Sequence, residues 1–166
     1  GGCVLTNDYK IAKKILKMRD HGRDNNGEIT EWGRNSRLDN LQAAILDYKL
    51  TKYNSLINRR REIAKKYNDT LVKFKFISTP DINNDETLRF DIFQNYEIRI
   101  NKRNKFKMDL EKEGVGTLIQ WSGFAVHHHK IFINNYHLPN TDIIMNQSLM
   151  LPLNEYITDH EIDYVI

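Results

Sequence analysis

A single cysteine, Cys3, among 166 residues excludes an internal disulfide and fits a reducing, cytoplasmic setting. Long apolar runs are missing too. No stretch approaches the roughly 20 residues that span a bilayer, and the uncharged segment 115–129 is interrupted by Gln120, Ser122 and Gly123. Near the start, Asp8, Lys10, Lys13 and Lys14 break up any signal-peptide core. Excess charge is scarce. A net +3 gives little drive toward nucleic acid. No G-x-S-x-G elbow, P-loop or G-x-G-x-x-G is present, which removes three common catalytic and nucleotide-binding frames.

What is present has the balance of a folded globular chain, with 40% hydrophobic and 28% charged residues. The ends point to a piece of something larger. The chain opens at Gly1-Gly2 on an apolar, β-prone run (residues 3–6) and stops at Ile166 inside a helix-like segment. Asp8 then caps a helix over residues 8–19, in which Ile11, Ala12, Ile15, Leu16 and Met18 predict one buried face. Gly22 ends it, and residues 23–35 read as an irregular loop.

Between Gly33 and Pro80 neither glycine nor proline occurs. Leu38, Leu41, Ile45, Tyr48, Tyr53, Ile57, Ile63, Tyr67 and Leu71 recur mostly every three or four residues, with small drifts. The pattern predicts one long helix, straight or kinked, over residues 39–72 with Asp39 as its cap. Beyond it come a polar turn at residues 81–85, a strand within 90–100, a helix over 104–113 closed by Gly114, and a strand over 115–121. Short helices follow at 141–147 and 159–166. This alternation predicts a small α/β unit at the C-terminal end.

Few constellations could carry chemistry. The loop Gly33-Arg34-Asn35-Ser36-Arg37-Leu38-Asp39 offers amides and guanidinium groups at a helix start, suited to an anion, although the same residues make an ordinary cap. His127, His128, His129 and His137 invite a metal reading. Consecutive histidines in an extended segment do not converge on one ion, however, and no carboxylate stands at ligand spacing, so no metal is expected. One loop histidine used for substrate hydrogen bonding is the alternative. The basic run Arg59-Arg60-Arg61 with Lys65-Lys66 is diluted by Glu62 and Asp69 and reads as a solvated helix face, not a nucleic-acid site.

Taken in order, these segments resemble the DegT/DnrJ/EryC1/StrS family of sugar aminotransferases. The resemblance runs through Gly1-Gly2 with Val4-Leu5-Thr6-Asn7-Asp8, then His21-Gly22-Arg23-Asp24. It continues in Asn35-Ser36-Arg37-Leu38-Asp39-Asn40-Leu41-Gln42-Ala43-Ala44 and in Arg59-Arg60-Arg61-Glu62-Ile63-Ala64. In the second half, Phe93-Gln94-Asn95-Tyr96-Glu97-Ile98-Arg99, Gly114-Val115-Gly116-Thr117-Leu118-Ile119-Gln120-Trp121, Ala125-Val126-His127 and Leu138-Pro139 are similar to members acting on dTDP-linked 3-keto-6-deoxyhexoses. Gln120-Trp121-Ser122 replaces the His-Tyr-Pro of many relatives.

The resemblance implies the C-terminal part of a fold type I, pyridoxal-phosphate-dependent α/β enzyme. Residues 1–38 would end the large cofactor domain, 39–72 would form the connecting helix, and 73–166 the small α/β domain. It implies a homodimer, an amino-acid donor (glutamate) and a nucleotide-linked keto sugar, in the synthesis of lipopolysaccharide or a related surface glycan. Asn35 corresponds to a residue reaching the cofactor phosphate of the neighbouring subunit, with Arg37 beside it. Gln120, Trp121 and His127 fall in the sugar-nucleotide pocket. The Schiff-base lysine precedes Gly1-Gly2 in the family, so this chain would hold no catalytic residue and would be inactive alone. A non-enzymatic remnant or interaction module is the alternative reading.

Overall fold

The computed structural model describes residues 2–82, 90–132 and 136–166; of the polar turn expected at 81–85, residues 83–85 lie outside them. The chain divides into two compact units, Gly1–Tyr53 and Asn54–Ile166. The division falls inside the segment expected as one connecting helix.

In the first unit, helix α1 (Tyr9–Met18) starts where expected, because the Asp8 carboxylate accepts from the amides of Lys10 and Ile11. It ends where Gly22, at φ +77°, donates its amide to the Lys17 carbonyl at 2.9 Å. Glycine is required there twice over. The backbone is left-handed, and a Cβ would lie 1.7 Å from the Glu31 carbonyl oxygen. Two expectations fail in this unit. Residues 3–6 form no strand, since no neighbouring segment among the described residues supplies the ladder a strand needs. Neither α1 nor helix α2 (Asn40–Leu50) contains a buried residue, because this unit brings no second apolar layer onto either.

The expected long helix is two helices. α2 stops at Thr51, whose hydroxyl donates to the Tyr48 carbonyl at 2.8 Å, while the Lys52 amide turns back to Lys49. Such a side-chain bond to a preceding carbonyl competes with the helical ladder. Helix α3 (Tyr53–Leu71) then follows.

The second unit is built on a three-stranded antiparallel sheet in the order β1 (Ile77–Ser78), β2 (Tyr96–Ile100), β3 (Ser148–Leu151). Tyr96, Ile98 and Ile100 are buried while Glu97 and Arg99 are not, the period of two the sequence predicted. Tyr96 faces Leu151 and Ile98 faces Leu149 across the ladder. Ile63, Tyr67 and Leu71, four residues apart on α3, join these strands and Ile162 in one core. At about 1.5–3 kcal/mol per buried large apolar side chain, this cluster is the main source of the unit's stability.

Helix α4 (Arg103–Lys112) is closed by Gly114 as expected, and α5 (Pro139–Gln147) starts on proline at its first position. In α6 (Asp159–Val165) Thr158 and Glu161 form a reciprocal cap. The strand expected at 115–121 is reduced to one bridge, Leu118 to Met150. It cannot continue because Trp121 and Ser122 are both left-handed, at φ +51° and +55°.

Candidate functional site

In the first unit the loop carrying Asn35 is laced to the end of α1. Arg34 donates its amide to Met18 at 2.7 Å, Ser36 to Arg19 at 2.8 Å, and His21 to Arg34 at 3.0 Å. Asn35 pairs with Asp20 as a β-bridge. Arg37 completes the corner. Its Nε donates to Asn35 Oδ1 at 3.3 Å, and its Nη1 lies 3.4 Å from Asp20 Oδ1. The structure thus brings Asn35 and Arg37 together. It also places the Asp39 carboxylate on the start of α2, accepting the Gln42 amide at 2.8 Å. An acidic cap occupies that helix start, so any anion binding here rests on the side chains of Asn35 and Arg37.

In the second unit Gln120 and Trp121 open a tight turn, Gln120–Gly123, that follows the Leu118–Met150 bridge. Three successive residues, Trp121, Ser122 and Gly123, have positive φ. For the two that carry side chains this costs about 1–3 kcal/mol each, strain of the kind that collects at binding sites. Gln120 is half-buried, and Trp121 is 76% exposed.

His127 follows on a 3₁₀ turn, Val126–His128, entered from the buried Ala125. Its Nε2 lies 2.9 Å from Asp142 Oδ1, on the first turn of α5, and His128 Nε2 lies 2.7 Å from the same oxygen. The two rings are 4.2 Å apart. His128 Nδ1 accepts the Ala125 amide at 3.1 Å. Hydrogen bonding from His128, and then from His127, holds the Asp142 carboxyl below its ordinary range.

This corrects the sequence argument about the histidine run. On a 3₁₀ turn consecutive histidines do converge, and one ligand atom from each of His127, His128 and Asp142 lies within 4.8 Å of the others. His137 is exposed and outside this group. Asp142 gave no signal in the sequence, because fifteen residues separate it from His127 and an acid in the first turn of a helix reads as a dipole partner. Arg103 steadies the carrier element. Its buried Nη1 donates to the carbonyls of Met145 at 2.9 Å and Ser148 at 3.2 Å, at the junction of α5 and β3.

The basic run on α3 is engaged, not simply solvated as expected. Arg59 pairs with Asp159, Arg60 with Glu155 and Lys66 with Asp163. Arg61 donates to the Asp91 carbonyl and lies over the Phe90 ring. Among the described residues no helix is long and apolar enough to cross a membrane.

A sequence model of the DegT/DnrJ/EryC1/StrS aminotransferase family matches residues 1–166. The chain is 30% identical over 168 aligned residues to a dTDP-3-amino-3,6-dideoxy-alpha-D-galactopyranose transaminase of Aneurinibacillus thermoaerophilus, covering 100% of this chain and 45% of that protein. Among solved structures, a DegT DnrJ EryC1 StrS aminotransferase from Brucella abortus aligns with a TM-score of 0.85 at 25% identity, over 96% of this chain and 43% of the other. The ntda protein of Bacillus subtilis, with bound cofactor PMP, aligns with a TM-score of 0.84 at 25% identity, over 96% of this chain and 39% of the other. The chain spans about half the length of the curated relatives it matches. The α/β expectation, part of a fold type I aminotransferase, therefore holds.

Proposed function

The chain belongs to the DegT/DnrJ/EryC1/StrS aminotransferase family, and on that premise we propose that it forms the C-terminal portion of a sugar-nucleotide aminotransferase. In this reading the enzyme moves an amino group from glutamate to a keto-deoxysugar carried on a nucleotide, for a surface polysaccharide or related glycan. It works as a cytoplasmic homodimer. The observation that carries the reading is the match over the whole chain to a transaminase named for a dTDP-linked amino sugar. Residues 1–38 complete the large lobe, 39–72 connect, and 73–166 make the small lobe.

Pyridoxal phosphate, when bound, supplies the electron sink for such a transfer. The residues present fit its phosphate in their donor chemistry. Asn35 Oδ1 accepts from Arg37 Nε, and no bond from its Nδ2 occurs among the described residues, so the amide offers N–H groups that phosphate oxygens accept. Arg37, paired with Asp20, holds Asn35 in place. The cofactor-binding lysine lies outside these 166 residues in our reading. Gln120, Trp121 and His127 bind and orient the sugar nucleotide. The exposed indole offers a stacking face, and Gln120 and His127 offer polar atoms to hydroxyl groups.

The test is an assay of the full-length protein with pyridoxal phosphate, glutamate and a dTDP-linked 3-keto-6-deoxyhexose. The expected products are 2-oxoglutarate and an amino sugar nucleotide, both read by mass spectrometry. A folded, cofactor-loaded protein that aminates neither dTDP- nor UDP-linked keto sugars would sink the proposal. A Schiff-base absorbance band from the 166-residue chain with the cofactor would overturn the placement of the lysine.

A further inference from the structure

The convergence of His127 and His128 on Asp142 was not among the expectations drawn from the sequence. Two uses fit two imidazoles around one carboxylate oxygen: a metal centre, or a hydrogen-bonded relay that fixes ring protons. The bond from the Ala125 amide decides between them. It requires a lone pair on His128 Nδ1, so the proton of that ring sits on Nε2 and is donated to Asp142 at 2.7 Å. A nitrogen that carries a proton has no lone pair for a metal, so the three side chains supply at most two ligand atoms at this centre.

What remains is a carboxylate that accepts two ring N–H groups. Asp142 suits this role. It lies in the first turn of α5, where the helix dipole favours negative charge, and its carboxyl is held ionised by the bonds it accepts. His127 is its enclosed partner, with a side chain only 10% exposed, against 32% for His128.

We propose that Asp142, backed by His128, is a positioning residue that fixes the proton of His127 on Nε2, so that His127 presents Nδ1 as an acceptor for a hydroxyl of the sugar nucleotide. The role of His127 toward the sugar rests on the reading under Proposed function; the fixed ring proton does not. A ring fixed in one tautomer accepts from a hydroxyl without first redistributing its proton, which favours binding of the sugar over any later step.

The experiment uses the full-length protein with ¹⁵N-labelled histidine rings, the His127 signals being assigned by their loss in H127N. At mildly alkaline pH the wild type should show His127 protonated on Nε2 and bare on Nδ1. In D142A the two tautomers should mix, whereas D142N, which keeps an acceptor oxygen, should restore the wild-type pattern. KM for the sugar nucleotide should rise on the order of tenfold in D142A, the equivalent of one lost hydrogen bond, with kcat changed less and D142N intermediate. An unchanged His127 tautomer in folded D142A, or an unchanged KM, overturns the proposal. So does stoichiometric Zn²⁺ binding that is lost in both H127N and H128N. A wild type inactive on every nucleotide sugar counts against the function alone, and the tautomer measurement still decides the positioning.

Discussion

Tyr67 and Tyr96 lie side by side in the core of the second unit, centroids 5.1 Å apart, yet among the described residues only one of the two hydroxyls has a partner. Tyr67 donates to the Pro152 carbonyl at 2.8 Å. The Tyr96 hydroxyl is buried with no partner among the described residues. Removing the first strands a carbonyl, whereas removing the second relieves a desolvated group. Y67F should therefore destabilise the unit by about 1–2 kcal/mol, and Y96F should be neutral or stabilising. Urea titration of the full-length variants by circular dichroism checks the contrast. Equal losses would refute it.

The same pair sets a limit at high pH. Burial pushes Tyr67 from 10.0 up to about 12 and Tyr96 higher still. Folded-state values raised above the unfolded ones mean that stability is intact below pH 10.0 and declines as pH rises through the folded values. Each tyrosine contributes a slope of about 1.4 kcal/mol per pH unit in that window. Because Y96F removes one of the two, it should flatten the alkaline decline by that amount in the same titration run at several pH values. Lysines that ionise nearby affect both proteins alike.

Much of the local structure in both units was legible in the sequence because its signals are local. The alternation in residues 96–100, the Asp8 and Asp39 caps, the closing Gly114 and the start of α6 each depend on residues a few positions apart. What escaped depends on long-range partners. Ser148-Leu149-Met150-Leu151 is a strand because β2 lies beside it, and Asp142 matters because a turn at 126–128 delivers two histidines to it. The break after Thr51 was hidden for the opposite reason. One hydroxyl turned back to Tyr48 interrupts a pattern that is otherwise helical from end to end. Asn35 and His127 drew notice first as part of a possible anion loop and of a histidine run, and only the family resemblance gave each a specific role, since no spacing forces one on them.

Arg103 is a further test of how the site is held. Its guanidinium is buried, and its bonds go to the Met145 and Ser148 carbonyls and the Asn104 side chain. Bonds from a charged donor contribute about 1.5–3 kcal/mol each, and truncation leaves the carbonyls unpaired. R103A should cost about 3–4 kcal/mol. R103K keeps the charge but not the fork, and should recover less than half of that loss. Thermal unfolding of the two full-length variants decides it, and a surface-like change in R103A would show that the carbonyls find other donors.

Two glycines in the first unit separate strain from collision. Gly22 and Gly27 both have positive φ, at +77° and +86°. A Cβ at Gly27 meets nothing within 4 Å, whereas one at Gly22 lands 1.7 Å from the Glu31 carbonyl oxygen. G27A therefore carries only the backbone penalty, about 1 kcal/mol. G22A must also part the loop from the end of α1, breaking the bond from Thr30 to the Gly22 carbonyl and loosening the bridge that holds Asn35 beside Asp20. Limited proteolysis of the full-length protein should cut residues 23–34 much faster in G22A than in wild type, with G27A close to wild type. If Asn35 holds the cofactor phosphate, only G22A should also weaken pyridoxal phosphate binding, measured by equilibrium dialysis. Faster cutting without weaker binding would separate the loop's fold from the role proposed for Asn35.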